Sequence, residues 1–276
     1  MTAVSLKKIL GDANKNNYAV AGLVVLGWDD ALAFTEAADQ TGIPIVLQAG
    51  PSCRAHTPVP ILGKMFRYLA NQTKTNICCH IDHGYTIEEC IEGIDSGFTS
   101  IMFDGSKLSL KENIKQTLKI SKKAHESKVS IEGEIGFVGY NRGKKSKWTD
   151  PQEAIKFAIE TGVDAMAISA GNTHLQTSKK NLINEKIIYE IQTSTNIPLV
   201  LHGGSGIPNL VRKKLARKTN IAKFNIGTEL RIKFGHSLHK QIKKNPNIFD
   251  RLQILKPTIP EITKTAKKII RNIGPI

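Results

Sequence analysis

The run His80-Ile81-Asp82-His83-Gly84 sets a carboxylate beside an imidazole at the end of a short apolar stretch, Asn76-Ile77-Cys78-Cys79. Side chains alternate along a strand, so His80 and Asp82 share a face if the stretch is extended, and His83 begins to turn away. Two readings fit the pentapeptide alone. In one, Asp82 is an acid/base group beside a metal ligand, His83. In the other, Asp82 caps the next turn and His83 is a satisfied surface histidine. Other chemistry-bearing residues fall at comparable places. Apolar runs end in Asp104 and Ser106, in Glu134, in the segment leading to His174, in His202-Gly203-Gly204-Ser205-Gly206, and in Asn225-Ile226-Gly227-Thr228. Three histidines with an open position form a usual catalytic zinc shell, which a carboxylate such as Glu134 can join or leave. His56, His125, His236 and His239 follow no such run. The turn 203–206 offers backbone N–H groups and the Ser205 hydroxyl to an anion. Gly227-Thr228 opens a helix whose N-terminus favours negative charge.

The elements that must position these residues alternate. Strands are expected at Tyr18–Leu26, Pro44–Gln48, the His80 run, Ser100–Phe103, Val129–Glu134, Asp164–Ser169, Pro198–His202 and Ala222–Asn225. Helices fall before and between them, with Ala49–Arg54 a loop, Gly136–Asp150 a long polar loop, and further helices at Glu229–Lys244 and Glu261–Arg271. The strands are near-continuous apolar runs, as parallel strands buried on both faces must be. Eight such repeats with short connections predict an α/β fold, a (β/α)8 TIM barrel, rather than an open doubly wound sheet. An open sheet would normally carry a glycine-rich turn after its first strand. In a barrel the working residues sit at the C-terminal ends of strands, and phosphate commonly binds in the loops after strands seven and eight. The candidate residues lie at those places.

Composition bounds the rest. The chain has 276 residues, 40% hydrophobic and 23% charged, which suits one soluble domain near the ~250 residues of a typical barrel. We expect a single barrel domain over residues 1–276 with a C-terminal helical extension. No apolar run reaches the ~20 residues of a membrane span. The segment Met1–Asn17 is polar and lacks an apolar signal core, so a cytoplasmic location is expected. Cys53, Cys78, Cys79 and Cys90 show no paired spacing and read as small core residues in a reducing compartment. The net charge of +15 thickens after Val211. With no RNA- or DNA-binding motif and few aromatics for stacking, solvated helix faces explain it better than nucleic acid, and the same field favours an anionic substrate.

His80-Ile-Asp-His-Gly84, Met102-Phe-Asp-Gly-Ser106, Glu132-Gly-Glu-Ile-Gly136, Leu201-His-Gly-Gly-Ser-Gly206 and Lys223-Phe-Asn-Ile-Gly-Thr-Glu229 together resemble the class II, zinc-dependent ketose-bisphosphate aldolases. The nearer branch is the tagatose-bisphosphate type, since Thr228-Glu-Leu-Arg231 follows the asparagine. The likeness runs from the third strand onward with its motifs in order. It implies that His83, His174 and His202 hold one zinc ion per subunit, with Glu134 an alternate or structural ligand. It implies that Asp82 exchanges the C4 hydroxyl proton and that Asn225 touches the dihydroxyacetone phosphate portion. Gly203, Ser205, Gly227 and Thr228 would then cradle phosphate, with a monovalent cation, Na+ or K+, on carbonyls near Gly203. The implied protein is a homodimer or homotetramer acting reversibly on a ketose (bis)phosphate.

Three departures stand out. Leu175 follows His174 where the family usually has glycine. Asn141 and Arg142 stand where the loop after Glu134 normally carries an acidic pair. The first strand reads Ala21-Gly-Leu-Val-Val-Leu-Gly-Trp28 in place of a Phe-Asn-x-x-Asn pattern. These suggest retained metal and an altered anionic substrate, carboxylated or sulfonated, which Arg142 would contact. A sugar-phosphate-binding barrel without catalysis is the reading outside enzymology.

Overall fold

The computed structural model describes residues 2–141, 143–180 and 182–275. Arg142, named above as a substrate contact, lies outside the described residues. Eight parallel strands close into a barrel in sequence order. They are β1 (Val20–Val25), β2 (Ile45–Ala49), β3 (Ile77–Gly84), β4 (Ser100–Phe103), β5 (Ser130–Ile135), β6 (Ala165–Ile168), β7 (Leu199–Leu201) and β8 (Ile221–Ile226). Closure is made by β1 pairing with both β2 and β8.

Local chemistry sets the helix ends. Ser5, Thr86, Ser109, Asp150 and Asn184 each accept a hydrogen bond from an N–H of the first turn that follows, satisfying donors the helix cannot. Gly42 and Gly162 end their helices in the left-handed conformation. The segment Ala49–Arg54, expected to be a loop, instead yields a short helix, Pro51–His56. Proline at the first helical position supplies the right φ and lacks an N–H that would go unbonded.

Two apolar layers result. The larger lies between the strands and the surrounding helices. The smaller lies inside the lower barrel, where Val20, Val46, Cys78, Met102, Ala165 and Val200 meet Leu6, Ile9, Leu10 and Ala13 of the first helix, Leu6–Lys15. That helix plugs the N-terminal end of the barrel, so the polar interior opens toward the strand C-termini. The last helix, Ile259–Ile273, buries Ile262, Ala266, Ile269, Ile270 and Ile273 and packs on Trp28–Thr41. All four cysteines are buried free thiols. Among the described residues no helix is long and apolar enough to cross a membrane.

Two irregularities in the ladder matter for the site. The β3–β4 register shifts between Ile81 and Gly84, and His83 takes a left-handed φ of 54°. The β7–β8 register shifts next to Lys223. Such bulges re-aim side chains that plain alternation would send to the outer face.

Candidate metal centre and active site

Because of the β3 bulge, His83 does not turn away from its neighbours. It lines the same pocket as Asp82, at the barrel's upper mouth, with His174 and Gly203, Ser205, Asn225, Gly227 and Thr228. His83, His174 and His202 each present a ring nitrogen, and the three nitrogens lie within 4.8 Å of one another. The outer nitrogens of two rings are already engaged. His83 Nδ1 donates to Asp104 Oδ2 at 2.7 Å, and His202 Nε2 is 3.1 Å from Glu132 Oε1. That leaves His83 Nε2 and His202 Nδ1 facing each other at 3.0 Å. Carboxylates behind ligating imidazoles fix ring orientation and strengthen the donor.

The electrostatics fit a cation at this point. Burial disfavours a charged His83, but Asp82, Asp104 and Glu134 override it and raise its pKa to about 10. His83 is therefore an imidazolium, donating to Asp104 and to His202. Burial, then the charge on His83, pushes His174 down to about 3 and His202 well below its ordinary range, so both are neutral donors of electron pairs. Burial and the nearby Asp104 hold Glu134 well above the usual carboxylate range. Its Oε2 has no hydrogen-bond partner and lies 3.7 Å from both His83 Nδ1 and His202 Nδ1. Three nitrogens plus an unpartnered buried carboxylate oxygen suit a divalent ion of zinc type. His83, Asp104 and Glu134 form a second grouping of ligand atoms at similar spacing.

Asp82 is 5% exposed. Its Oδ1 accepts from Gln48 Nε2 at 2.9 Å and Asn225 Nδ2 at 3.1 Å, so Oδ2 is left for the pocket. Gln48 reaches across only because β1 carries Gly22 beside it; any side chain there would collide with the Gln48 amide. Arg54, on the short helix after β2, donates to the carbonyls of Ala49, Asp82 and His83 at 2.6, 2.6 and 2.8 Å. It thereby holds the left-handed His83 backbone in place.

Below the histidines lies a buried polar floor. Lys223 Nζ is 2.6 Å from Glu132 Oε2, and both residues are fully buried. His80 sits 2.8 Å from Ser100 Oγ and 3.8 Å from Glu132 Oε2. Burial, then Lys223, holds His80 well below its ordinary pKa, so His80 is neutral and Lys223 answers the Glu132 charge. His80 and Asp82 do share the inner face, as alternation predicts, but His80 belongs to this floor.

The opposite wall suits an anion. Gly203 has φ +64° and passes so close to the Thr173 carbonyl that no side chain would fit. Ser205 Oγ accepts from Glu229 N in the first turn of the helix Thr228–Lys244, which ties the β7 turn to that helix N-terminus. Arg231, one turn in, also lines the pocket, and its Nε has no partner. Leu175 is half exposed at this wall and keeps the left-handed backbone expected of glycine, with φ 55°. The angle is thus strained but not forbidden.

All the candidate residues except Arg142, which is outside the described residues, therefore gather at one mouth. Glu134 and His202 lie just beneath it. Asn141 is exposed, and its N–H donates to the His174 carbonyl at 3.0 Å. Gln48, Arg54, Asp104, Glu132, Lys223 and Arg231 were not assigned roles from sequence. Asp104, Glu132, Lys223 and Arg231 all stand inside the quoted motifs. A lone polar residue in an apolar strand is the signal for Gln48, and Arg54, on the helix Pro51–His56, carries none.

Comparison with known proteins agrees with this geometry. The family model described as "Fructose-bisphosphate aldolase class-II" matches residues 4–275. A fructose-bisphosphate aldolase of Staphylococcus aureus (strain Mu50) is 33% identical over 281 residues, covering 99% of this chain and 98% of that protein. A 6-phospho-5-dehydro-2-deoxy-D-gluconate aldolase of Shouchella clausii is 32% identical, covering 99% and 95%. The crystal structure of the YdjI aldolase of Escherichia coli K12 superposes with a TM-score of 0.85 at 25% identity, covering 99% of this chain and 97% of that one. The fructose-bisphosphate aldolase of Campylobacter jejuni shares the fold, with a TM-score of 0.80 at 22% identity. With nearly its whole length matched, this chain belongs to the class-II fructose-bisphosphate aldolase family and is an aldehyde-lyase.

Proposed function

We propose that the chain is a zinc-dependent aldolase that reversibly cleaves a phosphorylated ketose to dihydroxyacetone phosphate and an aldehyde. The observation that carries this is the convergence of His83, His174 and His202 nitrogens beside a carboxylate held by two amides. In this reading those histidines hold the ion and Glu134 joins or leaves the shell. When bound, zinc supplies Lewis acidity toward the substrate's ketone and adjacent hydroxyl. Asp82 Oδ2 accepts the C4 hydroxyl proton as the C3–C4 bond breaks, the bonding electron pair stays with the three-carbon phosphate as an enediolate, and that carbon takes a proton from water to give dihydroxyacetone phosphate while Asp82 returns its own to solvent. In the reverse direction Asp82 returns the proton to the new alkoxide. Gln48 and Asn225 keep Asp82 aimed throughout, and Asn225 also meets the three-carbon portion. Gly203, Ser205, Gly227 and Thr228, with Arg231 behind them, hold the phosphate through N–H groups, hydroxyls and a helix N-terminus. Carbonyls near Gly203 suit a monovalent cation.

Two features favour an aldehyde portion different from that of fructose or tagatose bisphosphate: Leu175 at the phosphate wall, and a loop from Ile135 to Thr149 with no acidic residue. One relative's name specifies a sugar acid phosphate, so a carboxylated substrate lies within what such chains act on. We further propose one barrel domain over residues 1–276 with a C-terminal helical extension, a homodimer or homotetramer, and a cytoplasmic location. The test of the reaction class is hydrogen exchange. The zinc-loaded protein should exchange one carbon-bound hydrogen of dihydroxyacetone phosphate in D2O, followed by NMR, with no aldehyde present. No exchange above the metal-free control would remove the reading. Turnover of fructose and tagatose bisphosphates at ordinary aldolase rates would remove the altered substrate alone.

A further inference from the structure

Two aromatic side chains at the mouth are unaccounted for. Tyr85, just after β3, is 37% exposed, and Tyr140, in the loop after β5, is 40% exposed. Both line the same pocket as Asp82 and His83. Tyr140 stacks on His174, with centroids 5.0 Å apart and planes 27° from parallel, and Tyr85 stacks on His83 at 6.2 Å and 27°. The two phenol hydroxyls adjoin one another. The rings thus span two of the three candidate ligands and close one side of the mouth.

Their placement across the barrel decides what they meet. β3 and β5 flank β4, which lies across the closed sheet from β8. The anion wall is built from the loops after β7 and β8. A substrate with its phosphate at that wall and its reacting carbons at the histidines must extend its other end toward Tyr85 and Tyr140.

The pair is also held firmly. His174 N donates to Gly139 O and Asn141 N to His174 O, a short bridge that fixes Tyr140 over the His174 ring. Tyr85 N donates to Glu89 Oε2 at 2.8 Å, and that carboxylate is also paired with Arg54. Lys107 Nζ sits 4.8 Å from the Tyr85 ring centroid. Lys144, Lys145 and Lys147 follow on the Tyr140 loop. A rigid aromatic wall with two hydroxyl donors, and the Lys107 ammonium over one of its rings, suits an acceptor with a short carbon chain ending in a carboxylate.

Resting on the aldolase reading above, we propose that Tyr85 and Tyr140 are the specificity-determining residues for the aldehyde portion, and that the aldehyde carries a carboxylate to which their hydroxyls donate. Succinic semialdehyde and butanal have the same chain length and differ in that carboxylate, so they make the test. With dihydroxyacetone phosphate as partner, the zinc-loaded wild type should show kcat/KM at least ~10-fold higher for succinic semialdehyde, the scale of hydrogen bonds to a charged group. In Tyr85→Phe/Tyr140→Phe that ratio should collapse toward one, chiefly through KM for the semialdehyde. Zinc content and the thermal midpoint report whether the rings still support the histidines. A wild type that does not prefer the carboxylated aldehyde overturns the assignment. So does a double variant that loses both aldehydes equally, or one that keeps the wild-type ratio. Failure of the wild type to exchange the hydrogen of dihydroxyacetone phosphate would instead strike the aldolase reading, and this assignment with it.

Discussion

The floor of the barrel and its rim use polar residues in opposite ways. On the floor, His80, Glu132, Lys223 and His202 are fully buried, and each charge is answered by another at short range. Few side chains could replace them, since an unpaired charge there has no water to turn to. At the rim, Tyr85, Tyr140 and Leu175 are each more than a third exposed, and a change costs little stability. The quoted family motifs run from the floor up to the anion wall, while the departures Leu175 and Asn141 fall at the rim. The difference teaches that polar groups beneath the candidate metal ligands are fixed by mutual charge, while the exposed rim is free to vary.

The comparison breaks most visibly if chemistry does not reside at the junction of the two regions. Asp82→Asn keeps the shape of the side chain and removes its proton-accepting capacity. Cleavage or condensation should fall ~10²–10⁴-fold, the usual contribution of a positioned acid/base group, while bound zinc stays at one per chain. A variant retaining more than a tenth of wild-type kcat would exclude Asp82 as the proton carrier.

Next in size is the floor itself. Lys223→Met leaves Glu132 buried without its partner and should cost ~3–5 kcal/mol in denaturant unfolding. Restoring neutrality with Glu132→Gln in the same chain should recover part of that loss. A loss under ~1 kcal/mol would mean that water reaches the floor and that it resembles the rim.

A third outcome concerns protons. The His83 pKa is raised to about 10, so at neutral pH a metal ion must displace a proton from it. His174 and His202 are already neutral and release none. Metal affinity should therefore rise ~tenfold per pH unit between about pH 6 and 8, flattening only above the His83 pKa. Calorimetry in buffers of different ionisation enthalpy should show about one proton released per ion. A slope near two would mean that a second group gives up a proton to the ion, for which Glu134, held by burial above the usual carboxylate range, is the candidate. A slope of zero would remove His83.

The smallest effect is at Leu175. A left-handed backbone costs an L-residue ~1–2 kcal/mol, offset in part by the unfolded-state entropy of glycine. Leu175→Gly should therefore stabilise by up to about 1 kcal/mol and lower KM for the phosphorylated substrate. Destabilisation would show that the side chain packs usefully where it is.

The barrel and most of the site could be read from the chain because both depend on local patterns. Apolar runs of strand length mark β1 to β8, and the residue types that follow them mark the mouth. What could not be read depends on irregularity and distance. Alternation sends His83 outward; the β3 bulge and three hydrogen bonds from Arg54 bring it in. Lys223 owes its place beside Glu132 to the register shift next to it in the β7–β8 ladder. Arg54 was hidden because Ala49–Arg54 looked like a loop, although Pro51 favours a helix start. Tyr140 gains its position from pairing with His174, 34 residues away in sequence, and no periodicity reports such a contact.

The central claim is that one ion is held by three imidazoles from distant parts of the chain. Anomalous diffraction at the zinc edge from crystals of the zinc-loaded protein tests it most directly. The expected result is one strong peak per chain, within bonding distance of His83 Nε2, His202 Nδ1 and a His174 ring nitrogen. A peak elsewhere, or none among these rings at full occupancy of zinc in solution, would contradict it.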